Sequence, residues 1–291
     1  MTKTDPTLTR LAPAKINLTL HLTGLRADGY HLLESLVVFT EFGDGLRVTP
    51  AADLTLSVDG PFADGVPTDE TNLVLKAANR LRDLRGVTAG AAIQLTKNLP
   101  HGAGIGGGSS DAACALHLLA NLWDVAVLKP DDALPLGADV PVCLCAPNAT
   151  IMRGIGEDLT PAPYQPDGWL VLVNPRVVVP TVAAFKLHDA LYDFSPLGME
   201  PMDWIKEPED FEMWILGQRN DLTKVASEDQ LAPAVQEILA ALRTDAVDTD
   251  MSGSGSTCWG LFWDEAAARQ TATRIAHDHP DWWVQTTRIL T

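Results

Sequence analysis

The stretch LPHGAGIGGGSSDAACA, residues 99–115, constrains the fold more than any other part of the chain. Its five glycines lack a Cβ, so the backbone can adopt positive φ angles and approach a ligand closely. Residues 112–123 carry apolar side chains at helical spacing, and Ser109, Ser110 and Asp111 favour helix caps. Residues 92–96 alternate like a strand. The order strand, glycine loop, helix predicts that loop amides and the helix N-terminus bind phosphate.

Other loop types match parts of this pattern. Gly102, Gly104 and Gly107 have the spacing of a dinucleotide-binding loop, but that loop normally opens a βαβ unit early in its domain. A P-loop is excluded because no Lys-Ser or Lys-Thr pair follows the glycines. A flexible linker is disfavoured because a strand pattern precedes the stretch and a long apolar helix follows it. We therefore predict a phosphate loop of another type.

Charge and composition restrict the partners. The 291 residues are 46% hydrophobic and carry a formal charge of −17, which argues against binding to nucleic acid or to an anionic membrane surface. The first ten residues are polar, and no apolar run is long enough to cross a bilayer. The four cysteines form no CxxC motif and suit a reducing compartment. These features predict a cytoplasmic protein that binds small molecules. We expect a monomer or weak homodimer, although no feature of the sequence determines the oligomeric state.

The N-terminal segment combines a core pattern with polar residues. Residues 12–22 alternate with period two, which places Lys15 and Asn17 on one face of a strand and apolar side chains on the other. Taken alone, Lys15 would be a solvent-facing lysine. Residues 26–31, RADGYH, predict a turn, and residues 33–42 predict a second strand.

Further helices and strands follow from the same patterns. Residues 72–81 predict an amphipathic helix capped by Thr71 or Asn72. Residues 169–173 and 258–263 predict strands, and residues 264–277 predict a helix. The proline-rich segment 161–167 is the predicted domain boundary.

The glycine stretch strongly resembles the phosphate-binding motif of the GHMP kinases, which are ATP-dependent small-molecule kinases. Four other segments narrow the resemblance: APAKINL at 12–18, RADGYH at 26–31, GADVP at 137–141 and MSGSGST at 251–257. Within the superfamily they are most similar to kinases that phosphorylate the 2-hydroxyl of a cytidine-diphosphate-linked methylerythritol in non-mevalonate isoprenoid synthesis. The resemblance implies an α+β, two-domain GHMP kinase fold with the active site in the interdomain cleft. It implies a nucleotide-binding domain over residues 1–160 and an α+β domain over residues 168–291.

The resemblance also assigns roles to residues. Asp139 would accept the proton of the attacking hydroxyl, and Lys15 would fix that hydroxyl. The residues implied in substrate binding are Asn17, Tyr30, His31, Thr181 and Phe185, of which Tyr30, His31 and Phe185 would hold the cytosine. The residues implied in ATP binding are Asn72, Lys97, Pro100, Gly102, Gly104, Gly106, Gly107, Gly108, Ser109 and Ser110. Mg²⁺ would bridge the ATP phosphates with Ser110 as a ligand.

Local patterns leave simpler roles open for several of these residues. Asp139 is also a turn former beside a proline, His31 a turn histidine, and Phe185 a core residue. The connection before Asp139 is shorter than is usual in the family and contains Pro135 where a longer helix is common.

Three alternative functions remain at the level of sequence. A kinase for mevalonate or homoserine should lack the APAKINL and DGYH pair, and a relative that only binds nucleotide should have lost Lys15 or Asp139. All of these are present. A dehydrogenase is the weakest alternative, and NAD(H) binding would distinguish it.

Overall fold

A computed structural model of the chain describes residues 7–195, 197–228 and 231–291. Helices and strands are mixed along the whole of these ranges. The strands are β1 (Leu8–Asn17), β2 (His21–Leu25), β3 (His31–Ala51), β4 (Leu54–Asp59), β5 (Gly90–Thr96), β6 (Thr150–Gly154), β7 (Asp158–Pro161), β8 (Trp169–Asn174), β9 (Asp248–Met251), β10 (Cys258–Phe262) and β11 (Trp283–Arg288).

The helices lie between these strands and none of those described is long and apolar enough to cross a membrane. They are α1 (Leu73–Arg85), α2 (Gly107–Leu122), α3 (Pro130–Ala133), α4 (Val140–Cys143), α5 (Thr181–Leu191), α6 (Pro208–Ile215), α7 (Asp221–Glu228), α8 (Ala234–Leu242) and α9 (Glu265–Asp278). A short 3₁₀ turn, Leu134–Leu136, contains Pro135 and connects α3 towards α4.

The chain divides into two compact units, each made of several chain segments. Unit 1 comprises residues 1–14, 42–100 and 106–144, and unit 2 comprises residues 15–41, 101–105 and 145–291. The domains expected from sequence, residues 1–160 and 168–291, remain a prediction.

Unit 1 is built around β5 and the helix pair α1 and α2. β5 pairs antiparallel with the second half of β3, from Gly45 to Ala51, and parallel with β4. The apolar faces of α1 and α2 join these strands in one core that includes Leu81, Ile93 and Leu119. Asn72 caps α1 by accepting a hydrogen bond from Val74 N at 2.9 Å, as predicted, which satisfies one of the free amides at the helix start.

Unit 2 contains two groups of strands. The first half of β3 pairs antiparallel with β2 and β6, and β6 pairs with β7. A separate four-stranded antiparallel sheet has the order β11, β8, β10, β9. Its apolar side chains form a core with helices α5, α7, α8 and α9, which includes Val171, Val225 and Ile238.

The predicted strand over residues 12–22 is wrong in one respect. It is two strands, because β1 ends at Asn17 and β2 begins at His21. Every residue from Ala12 to Leu22 is buried, on both faces. The polar side chains of Lys15 and Asn17 are buried together with polar partners, as buried polar groups usually are.

Candidate active site

The glycine loop has the backbone that its composition predicted. Gly102, Gly104 and Gly106 have φ angles of +58°, +75° and +63°, in the left-handed region that L side chains rarely adopt. Gly107 and Gly108 are instead the first two residues of α2. The loop therefore needs glycine at alternate positions for its conformation, and the last two glycines serve a different purpose.

The start of α2 differs from the prediction. Gly106, with no side chain, is the N-cap residue, and Ser110 N donates to Gly106 O at 2.8 Å. The predicted caps Ser109, Ser110 and Asp111 lie inside the helix, so that prediction is wrong. The reason is that a left-handed glycine can begin the helix without a side-chain cap.

This helix start is open to an anion. A Cβ built on Gly108 would meet no atom within 4 Å, and Gly108 is exposed. The amides of the first turn have no intrahelical acceptor, and the helix dipole is positive at this end. An oxyanion can approach the backbone at Gly108 more closely than any side chain would permit.

The second glycine turn, residues 251–257, packs against residues 103 and 104 of the loop within unit 2. Ser252 Oγ donates to Gly104 O at 2.9 Å, and Thr257 N donates to Ala103 O at 3.1 Å. A Cβ on Gly104 would lie 2.3 Å from Ser252 O. The contact therefore requires glycine at position 104.

Lys15 and Asn17 are buried and joined to the same turn. Lys15 Nζ donates to Asn17 Oδ1 at 2.8 Å, and Lys15 N donates to Ile105 O at 3.0 Å. Asn17 Nδ2 donates to Ser35 Oγ at 2.7 Å, and Asn17 N donates to Ser252 Oγ at 3.1 Å. The fold thus brings Lys15, Asn17 and the Gly104 segment together and refutes a solvent-facing Lys15.

Lys97 lies in a buried cluster of charges in unit 1. Its ammonium contacts the carboxylates of Asp44 and Asp111, the latter at 2.7 Å. Asp44 Oδ1 also accepts from Asn98 N and from Leu99 N at 2.9 Å. The cluster Lys97–Asp44–Asp111 therefore ties the residues that enter the loop to helix α2, which leaves it.

Burial controls the protonation of this cluster. Burial raises the pKa of Asp111 to about 8; the Lys97 ammonium acts against this increase and the Asp44 charge adds to it. Burial alone would lower the pKa of Lys97, but the two carboxylates outweigh it and raise that pKa. Asp111 Oδ1 is buried without a hydrogen-bond partner among the described residues. One cation thus faces two carboxyl groups, and burial makes Asp111 hold its proton to a higher pH than an exposed aspartate does.

Several other predicted nucleotide residues already have structural partners. Asn72 uses its amide on Pro67 O and its oxygen on the α1 cap. Ser110 Oγ donates to Pro13 O at 2.7 Å and is buried, whereas Ser109 is half-buried. Pro100 is buried directly before the loop.

Asp139 occupies the N-cap position of the four-residue helix α4. Its carbonyl accepts from Cys143 N at 3.2 Å, and its side chain is not used as a cap. The side chain is half-buried. The short connection noted in the sequence is two turns, α3 and the 3₁₀ turn at Leu134–Leu136, and the GADVP motif follows directly.

A cluster of aromatic rings in unit 2 contains two of the predicted cytosine residues. The ring centroids of His31 and Phe185 are 4.5 Å apart, and Phe194 lies 5.8 Å from His31. His31 Nε2 is 2.7 Å from Asp189 Oδ1. Tyr30 is 59% exposed and lies near the Arg26 guanidinium, outside this cluster.

Thr181 begins α5 and is exposed, and its hydroxyl lies 3.0 Å from Ser254 Oγ of the second glycine turn. Sequence reasoning missed Asp44 and Asp189. Each is separated from its partner by a long stretch of chain, 53 residues for Asp44 and Lys97 and 158 for Asp189 and His31, and neither lies in a motif.

Comparison with protein families matches two models. The GHMP kinases N terminal domain matches residues 72–147, and the GHMP kinases C terminal model matches residues 209–280. These segments contain the glycine loop and Asp139, and the helices α6 to α9, respectively.

Relatives match over almost the full chain. A 4-diphosphocytidyl-2-C-methyl-D-erythritol kinase of Paramagnetospirillum magneticum is 48% identical over 287 residues, which cover 96% of this chain and 97% of the relative. The kinase of the same description from Ruegeria pomeroyi is 49% identical over 282 residues, covering 96% and 98%.

Solved structures agree in fold. A crystal structure of 4-(cytidine 5'-diphospho)-2C-methyl-D-erythritol kinase has a TM-score of 0.75 at 32% identity and covers 98% of this chain and 100% of that one. A homoserine kinase from Cytophaga hutchinsonii, with a TM-score of 0.64 at 17% identity over 99% and 96% of the two chains, shares the fold. These matches confirm the predicted α+β GHMP kinase fold. The chain belongs to the GHMP kinase superfamily and, within it, to the 4-diphosphocytidyl-2-C-methyl-D-erythritol kinase family.

Proposed function

We infer that this chain is an ATP-dependent kinase that phosphorylates the 2-hydroxyl of 4-diphosphocytidyl-2-C-methyl-D-erythritol, a step in non-mevalonate isoprenoid precursor synthesis. The observation that carries this inference is the helix start at Gly107 and Gly108, which offers unpaired amides and open space to a phosphate group. The substrate is inferred from relatives that are 48% and 49% identical to this chain and are described as kinases of this compound.

The glycine loop would act by holding the negatively charged phosphates of ATP in a fixed position. Phosphoryl transfer depends on positioning and on electrostatic stabilisation more than on covalent chemistry. We propose that the amides of residues 106–109 bind the β- and γ-phosphates. Gly102 and Gly104 would keep the loop in the conformation that directs these amides, since their left-handed φ angles suit no other residue well.

Asp139 and Lys15 are the proposed catalytic residues. Asp139 would accept the proton of the substrate 2-hydroxyl, which the resemblance of the GADVP segment supports, and its side chain is half-buried. Lys15 would hold that hydroxyl and offset the negative charge that develops on its oxygen. The hydrogen bond from Lys15 Nζ to Asn17 Oδ1 fixes the ammonium, and Asn17 is therefore the proposed partner that positions it.

The cytidine end of the substrate would be held by aromatic groups. Phe185 and His31 already form a ring pair, and a pyrimidine can stack on such rings. Tyr30 is exposed and available to cover the base, and Thr181 is exposed at the start of α5. We propose these four residues as the cytidine subsite.

Asn72, Lys97, Pro100 and Ser109 remain proposed nucleotide residues. The side chains of Asn72 and Lys97 have structural partners, so their contribution would come through the backbone and through the shape of the pocket. Binding of an ATP analogue to side-chain variants of these residues would test this.

Magnesium would accompany the nucleotide. No group of three or more His, Cys, Asp or Glu side chains that could hold a metal occurs among the described residues. Mg²⁺ commonly binds through substrate phosphates and one or two protein oxygens. In this chain the ion would therefore bind mainly to the phosphates of ATP, with few protein ligands. When bound, Mg²⁺ neutralises phosphate charge. Ser110 is the proposed protein ligand, through the lone pairs that its hydrogen bond to Pro13 O leaves.

We further propose that the protein works in the cytoplasm as a monomer or weak homodimer, with residues 1–160 and 168–291 as its domains. The charge of −17 supports a partner that is a small molecule and neither nucleic acid nor membrane. Gel filtration with light scattering would test the oligomeric state. Limited proteolysis would test the domain boundary, because cleavage is expected between residues 161 and 167.

The test is ATP consumption with Mg²⁺ and the cytidine-linked methylerythritol, with mevalonate and homoserine in parallel. Turnover with the cytidine compound alone is the expected result. We expect Asp139→Asn to lose at least about a hundredfold in kcat while its circular dichroism stays unchanged. Near-normal turnover by the folded Asp139→Asn variant would contradict the assigned base, and tight ATP binding without turnover on any acceptor would contradict the substrate.

A further inference from the structure

The pair formed by His31 and Asp189 restricts the chemistry of the imidazole. Asp189 lies on α5, and its Oδ1 is 2.7 Å from His31 Nε2. A carboxylate only accepts hydrogen bonds, so Nε2 must carry a hydrogen. In the neutral ring the other nitrogen, Nδ1, is then an acceptor.

Neighbouring rings restrain this imidazole. The Phe185 ring lies 4.5 Å and the Phe194 ring 5.8 Å from the His31 ring, measured between centroids. The His31 side chain is 12% exposed, so it retains access to solvent or ligand. Packing against the two phenylalanine rings thus holds the His31 ring in place, and the Asp189 carboxylate fixes its tautomer.

Asp189 also faces a second histidine, and that contact does not compete. His188 Nδ1 is 3.9 Å from Asp189 Oδ1, beyond hydrogen-bond distance. Burial lowers the pKa of His188, which leaves that ring neutral. His31 is therefore the main partner of the Asp189 carboxylate.

A fixed acceptor distinguishes two pyrimidines. Cytosine carries a 4-amino group that donates hydrogen bonds, whereas uracil carries a 4-oxo group that only accepts. An acceptor at Nδ1 pairs with the amino group and opposes the oxo group. The opposite tautomer, with hydrogen on Nδ1, would favour uracil.

We propose that Asp189 is a positioning residue that fixes the His31 tautomer and thereby selects a cytidine diphosphate over a uridine diphosphate substrate. This inference rests on the proposed function, in which His31 contacts the base. Asp189 itself acts only through the imidazole.

The experiment compares kcat and KM for the cytidine-linked substrate and for its uridine-linked analogue. In Asp189→Ala we expect a raised KM for the cytidine compound, a nearly unchanged kcat, and a fall of about tenfold or more in the cytidine to uridine ratio of kcat/KM. In Asp189→Asn we expect a smaller fall, because an amide can either accept from Nε2 or donate to it. Asp193→Asn, which removes the same charge at a nearby exposed position, should leave the ratio unchanged.

A second readout needs no turnover. The imidazole ¹⁵N shifts of His31, assigned by comparison with His31→Gln, should report an unprotonated Nδ1 in the native protein and a mixture of tautomers in Asp189→Ala. An unchanged selectivity ratio in Asp189→Ala, or equal losses for both substrates, would overturn the proposal, as would a native His31 protonated at Nδ1. Failure of the native enzyme to phosphorylate the cytidine compound would instead overturn the proposed function. The ¹⁵N spectrum reports the His31 tautomer without turnover, so the two failures can be told apart.

Discussion

Replacement of Lys97 by methionine would remove the positive charge that contacts both Asp44 and Asp111 in the buried cluster described above. Methionine keeps most of the volume of lysine but leaves two carboxyl groups together inside unit 1. Removal of one partner from a buried ion pair costs about 3–5 kcal/mol, because the other charge stays buried without compensation. We expect a loss of this size in the free energy of unfolding of Lys97→Met.

Asp111→Asn should be far milder. Since burial raises the pKa of Asp111 to about 8, its carboxyl group carries a proton at pH 7 and an amide resembles it closely. Lys97 Nζ can still donate to the amide oxygen. At low pH, where the carboxyl group is protonated in the folded and in the unfolded state, the expected loss is about 1 kcal/mol, the net value of one altered hydrogen bond. At higher pH the amide also removes the free energy that the native protein spends on taking up a proton, so the variant should become the more stable of the two.

The raised pKa also fixes how stability changes with pH. Between the unfolded pKa of 3.8 and the folded pKa of about 8, the native state holds a proton that the unfolded chain has released. The free energy of unfolding therefore falls as pH rises from the lower pKa to the higher one, by up to about 1.4 kcal/mol per pH unit. Below the lower pKa Asp111 causes no such loss. Asp111→Asn should remove this slope.

Urea unfolding followed by circular dichroism, at several pH values between about 5 and 8, measures both effects. Asp83→Asn, which alters an exposed carboxylate on α1, is the matched control and should follow the native protein. A loss below about 1 kcal/mol in Lys97→Met, or an unchanged pH slope in Asp111→Asn, would refute the electrostatic account of this cluster.

Three further predictions concern the glycine loop and the magnesium that accompanies ATP. Gly104→Ala should cost about 2 kcal/mol or more and reduce activity, because it combines a φ of +75° with a Cβ 2.3 Å from Ser252 O. Gly108→Ala should instead stabilise α2 by about 0.5–1 kcal/mol and raise the KM for ATP, since only the ligand needs the open space there. Calorimetry and kinetics on the two variants distinguish these outcomes. An unchanged KM for ATP in Gly108→Ala would count against phosphate binding at Gly108. EDTA should abolish turnover reversibly while Tm without nucleotide stays constant, because the described residues include no cluster that would hold a metal before ATP binds; a large fall in Tm would contradict this.

Local chemistry explains what could be predicted from sequence. The glycine loop, the α1 cap at Asn72 and the strand before the loop were predicted from patterns within a few residues, and each is present. The start of α2 was misplaced because Ser109 and Ser110 are good caps by residue type, while a left-handed Gly106 began the helix three residues earlier. Local propensity cannot decide between two possible starts when one depends on backbone conformation alone.

The partners of the buried polar residues depend on the tertiary structure. Asp44 and Asp189 lie in no motif, and their roles follow from contacts with Lys97 and His31, which are distant in the chain. Sequence alone determined the family motifs and the glycine positions, since these are short-range requirements of backbone geometry. Only the folded chain decided which carboxylate neutralises which cation, because desolvation and Coulomb interactions depend on distance in space, and separation along the chain does not specify that distance.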